Sequence, residues 1–278
     1  MPSVQHDGYQ IHYQCSGSGP ALVLLHSFLC DGEMWKEQLA PLAEHYRVIN
    51  IDIRGHGQSS TADKPLDIYD LVDDVVAVLD QEGIDKAIWA GLSIGGMIAL
   101  RAAIKVPERV DSLLLLDTHA GTETRFKIFK YRMLVALVKL FGIKPLLPAV
   151  SKMMFGRHTR QNQPALVEYW QQKFSAMSLV SIDRVCLALC QRDSLKTQLT
   201  GISQPALVLV GEEDASLPPP CSEALAQRLP NATLEIIPQA GHLSTLEQPA
   251  AVTQSMLEFL RNHPTGRMIP SDDQISTT

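Results

Sequence analysis

The sequence has little that would tie it to nucleic acid, to a metal centre or to a membrane span. Its 24 Lys and Arg are outnumbered by 30 Asp and Glu, for a formal net charge of −6. It therefore lacks the basic face that non-specific nucleic-acid binding needs. The five cysteines, Cys15, Cys30, Cys186, Cys190 and Cys221, are odd in number and scattered. They form no C-x-x-C pair and no His–Cys cluster of zinc spacing, and read as free thiols of a reducing cytoplasm. No apolar run approaches the roughly 20 residues of a membrane helix; the best, Met133 to Val138, is far short. The opening Met1-Pro2-Ser3-Val4-Gln5-His6-Asp7-Gly8 has no basic n-region and no apolar h-region, so no signal peptide is expected. Internal repeats and low-complexity blocks are absent as well.

What is present is a chain of 278 residues, 45% hydrophobic, which suits one domain with an inserted subdomain. Apolar runs of strand length alternate with stretches of helical period, the mark of βαβ architecture. Strands are expected at 8–15, 21–25, 47–52, 87–91, 110–117, 206–210 and 233–237. Helices are expected at 33–46, 67–82, 94–105, 220–229 and 249–261. The run Ala21 to Leu25 is apolar throughout, as a strand buried on both faces would be. Between Thr118 and Gln204 the rhythm changes to helices alone, at 126–141, 164–177 and 179–192. The expected organisation is thus an α/β core over 1–118 and 205–262, with a helical cap over 119–204 inserted before the last two strands. The polar tail, 263–278, is expected to be disordered.

Gly91-Leu92-Ser93-Ile94-Gly95-Gly96 follows a strand and opens a helix. A serine on so sharp a turn exposes its hydroxyl above the sheet, and glycines two before and two after it let helix and strand approach. The amide of Ile94 then lies at a helix N-terminus, where free N–H groups favour a developing oxyanion. A serine hydroxyl needs a base. Of nine histidines, His242 in Gln239-Ala240-Gly241-His242 follows the last strand and reaches the same sheet edge. The orienting acid is assigned to Asp214, in Val210-Gly211-Glu212-Glu213-Asp214; Glu212, Glu213 and Asp117 are the competitors. A second oxyanion donor is expected from the backbone of Phe28, in His26-Ser27-Phe28-Leu29. His26 reads as a loop former, and His56, in Arg54-Gly55-His56-Gly57-Gln58-Ser59, as a hydrogen-bonded brace.

G-L-S-I-G-G, R-G-H-G-Q-S, G-E-E-D-A-S-L-P and A-G-H-L, all in the family order, resemble the α/β-hydrolase superfamily over about residues 8–260. The segment H-S-F-L-C-D-G-E-M-W is similar to its esterase and 3-oxoadipate enol-lactonase-like branch. The resemblance implies an α/β-hydrolase fold with a mostly parallel central sheet, helices on both faces and a helical cap. It implies hydrolysis of carboxylic esters or lactones through an acyl-enzyme on Ser93, with no metal or organic cofactor. Many relatives have His-Gly where this chain has His26-Ser27, a departure in the oxyanion loop. Serine at the elbow disfavours dehalogenase, epoxide hydrolase and dienelactone hydrolase chemistry. Hydrolysis of an enol lactone or of a C–C bond is the alternative, and a small-molecule receptor on the same fold is the non-enzymatic one.

The expected pocket comprises Ser27, Leu29, His119, Met133, Trp170, Leu217 and Leu243. The segment from Arg125 to Lys139 is both apolar and basic in an acidic chain. It fits an amphipathic helix over the core with solvated cations, or an acyl pocket whose cations attract carboxylates or a lipid surface. The partner expected is a small ester or lactone, with self-association left open.

Overall fold

The computed structural model describes residues 2–264. Its strands are β1 (Ser3–His6), β2 (Tyr9–Ser16), β3 (Ala21–Leu25), β4 (Arg47–Ile51), β5 (Ala87–Leu92), β6 (Val110–Leu116), β7 (Ala206–Gly211) and β8 (Ala232–Ile237). They form one sheet in the order β1-β2-β4-β3-β5-β6-β7-β8. β1, β2 and β4 pair antiparallel, and every pairing from β4 through β8 is parallel. The helices are α1 (Lys36–Ala43), α2 (Ile68–Gln81), α3 (Ile94–Lys105), α4 (Arg125–Phe141), α5 (Leu147–Met154), α6 (Arg157–Asn162), α7 (Pro164–Ala176), α8 (Leu179–Gln191), α9 (Pro219–Ala226), α10 (Ser244–Glu247) and α11 (Pro249–Asn262). This is the expected α/β fold, with five α-helices and no strand between β6 and β7.

Period-2 alternation divides the core in two. Val23, Leu25, Ile49, Ile51, Trp89, Leu113, Leu115 and Val208 face one side with α2, α3 and α9. Leu22, Leu24, Val48, Ile88, Ala90, Leu114 and Leu207 face the other with α1 and α11. Burial on both faces is why the central strands are apolar without a break. β8 lies at the edge and alternates instead, with Ile236 45% exposed.

The expected boundaries mostly hold, and the differences have local causes. The span 67–82 becomes α2 with Asp67 as N-cap, accepting from the Tyr69 N–H, and Asp70 closing a capping box. The expected helix 33–46 instead opens with a 3-10 turn at Gly32–Trp35 capped by Asp31, and α1 ends at Ala43. β1 was not expected: it pairs with β2 around a two-residue turn, Asp7-Gly8, in which both residues have positive φ. Two further helices, α5 and α6, lie where none was expected. Most of the tail at 263–278 lies outside the described residues, since 265–278 are not described. No single described helix is long and apolar enough to cross a membrane.

The loop after β4 is fastened to α2 by a buried ion pair. Arg54 Nε donates to Asp74 Oδ2 at 2.9 Å and Nη2 to Oδ1 at 2.6 Å, while the guanidinium lies 4.1 Å from the Tyr9 ring centroid. Both side chains are buried, at 4% and 3% exposure. Asp74→Ala leaves the guanidinium without its bidentate partner, and we expect a loss of about 3–5 kcal/mol. Urea denaturation at pH 7 measures it; a loss below about 1 kcal/mol, the range of an exposed pair, would show that this pair is not what holds the loop.

Candidate active site

The turn from β5 into α3 is tight enough to dictate its own sequence. A Cβ on Gly91 would lie 2.1 Å from the Gly95 carbonyl carbon, and a Cβ on Gly95 would lie 2.3 Å from the Leu25 carbonyl oxygen. Only glycines let the helix descend this far onto β3 and β5. Ser93, the N-cap residue between them, takes φ 57° and ψ −112°, a backbone conformation that costs a non-glycine residue of order 1–3 kcal/mol. Two hydrogen bonds to the end of β6 hold it there. The Ser93 N–H donates to the Leu116 carbonyl at 2.9 Å, and the Thr118 hydroxyl donates to the Ser93 carbonyl at 2.8 Å. Ile94 is the first residue of α3, so its N–H is among those without a partner inside the helix.

His242 lies in the loop after β8 and is buried, as is Asp214. Its Nδ1 is 2.8 Å from Asp214 Oδ2, and Asp214 Oδ1 accepts from the N–H groups of Ser216 and Leu217, both at 2.8 Å. A carboxylate only accepts, so Nδ1 carries the proton and Nε2 presents its lone pair. Burial alone would lower the His242 pKa, but the charge and hydrogen bond of Asp214 outweigh it. The net displacement is upward from the ordinary histidine value.

Each competing carboxylate has another task. Glu213 Oε2 accepts from the His158 N–H at 2.8 Å, in the first turn of α6, and Glu212 Oε2 accepts from the Gln239 N–H at 3.1 Å. Asp117 is buried at the end of β6, accepting from the Gly211 N–H at 2.8 Å and from the Ser244 hydroxyl. Burial, reinforced by the charge of Asp214, pushes its pKa well above the usual carboxylate range.

The loop after β3 is set by His26 and braced by His56 from the loop after β4. His26 Nε2 accepts from the Ile53 N–H at 2.9 Å, which leaves Nδ1 to donate to the Ser27 carbonyl at 2.8 Å. His26 thus ties the loop after β3 to the loop after β4, and burial holds the imidazole below its ordinary pKa. His56 packs edge-on against His26 and Phe28, with ring centroids 4.9 and 5.9 Å away. Burial lowers its pKa to about 3, so it remains neutral near pH 7. Leu29 has φ 68°. The Ser27 N–H donates to Met34 Sδ at 3.2 Å and the Cys30 N–H to the Ser27 carbonyl at 3.1 Å, with the Phe28 amide between them. The Ser27 hydroxyl is buried without a hydrogen-bond partner.

Ser93, His242, Phe28, Ser27, Leu29 and Leu217 line one largely apolar cavity of about 110 Å³. Its other walls come from α4, α5 and α8, among them Leu134, Val138, Val150, Met153, Ile182 and Cys186. Four expected pocket residues do not line it. Met133 is half exposed, on the opposite face of α4 from Leu134 and Val138. Trp170 is buried against Phe174, 6.2 Å between ring centroids, and Leu243 is fully buried in the core. His119 opens onto a separate groove with Lys196 and Cys221. Segment and polarity were readable, but the rotation of α4 and α7 that sets Met133 and Trp170, and the loop paths that set His119 and Leu243, were not. Missed altogether were the polar members of the cavity wall, Glu123, Tyr131 and Arg192. Arg192 Nη2 is 2.9 Å from Glu123 Oε1 and also reaches His119 Nε2. Burial would raise the Glu123 pKa, yet His119, 3.7 Å away, and the hydrogen bond from Arg192 hold it down to about 2. A single buried arginine after a helix carries no sequence pattern that separates it from a surface one.

Residues 20–249 match the alpha/beta hydrolase fold family. The chain is 31% identical over 237 residues to 3-oxoadipate enol-lactonase 2 of Acinetobacter baylyi, covering 85% of this chain and 87% of that relative. Among solved structures it is similar to a malate-bound thermophilic esterase from Thermogutta terrifontis. There the TM-score is 0.88 and the identity 30%, over 94% of this chain and 97% of that one. The enol-lactonase from Burkholderia xenovorans also gives a TM-score of 0.88, at 28% identity over 94% of this chain and all of that one. With the family matched over residues 20–249, this chain belongs to the alpha/beta hydrolase family.

Proposed function

We propose that this protein is a serine hydrolase of small carboxylic esters and lactones, with Ser93 as nucleophile, His242 as general base and Asp214 as the orienting acid. The observation that carries the reading is the 2.8 Å pair of His242 Nδ1 and Asp214 Oδ2 on the wall of the cavity that Ser93 also lines. In this reading Ser93 Oγ attacks the substrate carbonyl carbon as His242 Nε2 takes its proton. The carbonyl oxygen becomes an oxyanion held by the backbone N–H groups of Phe28 and Ile94. The tetrahedral intermediate collapses, and the alcohol leaves with the proton from Nε2. Water then attacks the acyl-enzyme, giving its proton to the same nitrogen, and the acid is released as Ser93 recovers its proton.

The helices α4 to α8 serve here as a cap over the core. An apolar cavity of about 110 Å³ is small beside usual ligand pockets. Short acyl groups fit without rearrangement, and larger substrates require the cap helices to move. The names of the enol-lactonase and esterase relatives favour ester and lactone bonds over C–C bonds.

Turnover of p-nitrophenyl acetate and butyrate is expected for the wild type, with Ser93→Ala reducing kcat by at least about 10⁴-fold. Full activity in that variant would remove Ser93 as nucleophile. A wild type that binds such ligands without turning over esters or lactones would favour a receptor.

His242 accepts a proton only when neutral, so kcat/KM is low in acid and rises through its pKa. That pKa is displaced upward, so the rising limb is expected above the ordinary value near 6.5. Asp214→Asn should move the limb to lower pH and reduce kcat by about 10³–10⁴-fold. Asp117→Asn and Glu213→Gln should each cost far less. A larger loss at Asp117, or a flat profile between about pH 5 and 8, would contradict the assignment.

A further inference from the structure

Helix α4 has two apolar faces where a cap helix needs one. Its inner face gives Tyr131, Leu134, Val135 and Val138 to the cavity. Its outer face carries Phe126, Phe129, Met133 and Leu140, and Phe141 ends the helix, all between 50% and 75% exposed. These are five of the nine large apolar side chains exposed among the described residues, so the exposure is concentrated on one helix. The spacing 126, 129, 133 and 140 follows the helical period and makes one stripe. Scattered apolar residues on a surface need no explanation, but a contiguous stripe does.

The same helix concentrates charge. Arg125–Phe141 contains five Lys and Arg and no Asp or Glu, in a chain whose net charge is −6. Lys139 pairs with Asp183 at 2.7 Å and Lys127 lies 3.7 Å from Glu123. Lys130 sits 4.5 Å from the Phe126 ring centroid, among the exposed aromatics. Arg125 and Arg132 border a shallow depression formed with Ile128, Phe129 and Met133. Apolar and aromatic side chains interleaved with cations suit the boundary between acyl chains and anionic headgroups. They do not suit a second copy of the same face, which would set these cations against their own kind across a two-fold axis.

We propose that the outer face of α4 docks this protein on an anionic lipid surface, with the helix lying in the plane of the interface. The roof of the cavity would then rest against the lipid. Binding to vesicles requires no turnover, so this proposal and the hydrolytic reading fail separately.

The experiment is co-sedimentation with vesicles of phosphatidylcholine alone and of equal parts phosphatidylcholine and phosphatidylglycerol, in low and high salt. The wild type is expected to pellet with the anionic vesicles in low salt, at least about tenfold more tightly than with phosphatidylcholine. High salt should weaken that binding. Lys130→Glu with Arg132→Glu, and separately Phe126→Ser with Phe129→Ser, should each reduce binding about tenfold or more while near-UV circular dichroism stays unchanged. None of these four side chains lines the cavity. A wild type that stays in the supernatant, or binding that survives both double variants, overturns the proposal. So does a wild-type dimer in sedimentation equilibrium that Phe126→Ser with Phe129→Ser dissolves, since the stripe would then be covered by a second copy.

Discussion

The close approach of α3 to β3 and β5 is the constraint from which the rest of the site follows. Because Gly91 and Gly95 allow no side chain between backbones, Ser93 is forced to positive φ, and the helix N-terminus begins at Ile94. Strain at one residue thus goes with two features together, a serine on the cavity wall and a helix N-terminus beside it. The cost is met by packing: Ile98, Ala99, Leu100 and Ala102 of α3 are fully buried against the sheet. A rigid scaffold can hold a strained turn that an isolated strand–helix segment would relax.

The second constraint is charge in a buried place. Two carboxylates, Asp117 and Asp214, lie near one imidazole, and burying both as anions would be unfavourable. The structure gives them unlike surroundings. Asp214 receives two backbone N–H groups and the imidazole, whereas Asp117 is pushed toward its neutral form by burial and by Asp214 itself. Asp117 at the same time binds Ser244 Oγ and the Gly211 N–H, joining the end of β6 to the histidine loop. Asp214 orients the imidazole of His242, and Asp117 holds together the segments that carry it.

Much of this was legible in the sequence because it depends on local pattern. The central strands announced themselves by unbroken apolar runs, and the elbow by glycine spacing on a strand–helix join. His242 and Asp214 were readable as positions after particular strands, and their pairing follows from the sheet bringing β7 and β8 side by side. The edge strand from Gly8 was legible by its alternation, but its partner β1, four residues long, carries too little pattern to show by itself. What could not be read was rotation and long-range contact. Met133 and Leu134 are neighbours in sequence but face solvent and cavity respectively, and no pattern within α4 decides which apolar stripe turns inward. Arg192 reaches Glu123 across 69 positions, a contact set by tertiary packing alone.

Covalent labelling tests the central claim most directly. A fluorophosphonate reacts with a serine only where a base and an oxyanion site act on it together. Peptide mapping of the labelled protein should show one adduct, on Ser93, and none after His242→Ala. An adduct on another residue, or a folded protein in which Ser93 stays unlabelled, would contradict this account of the site.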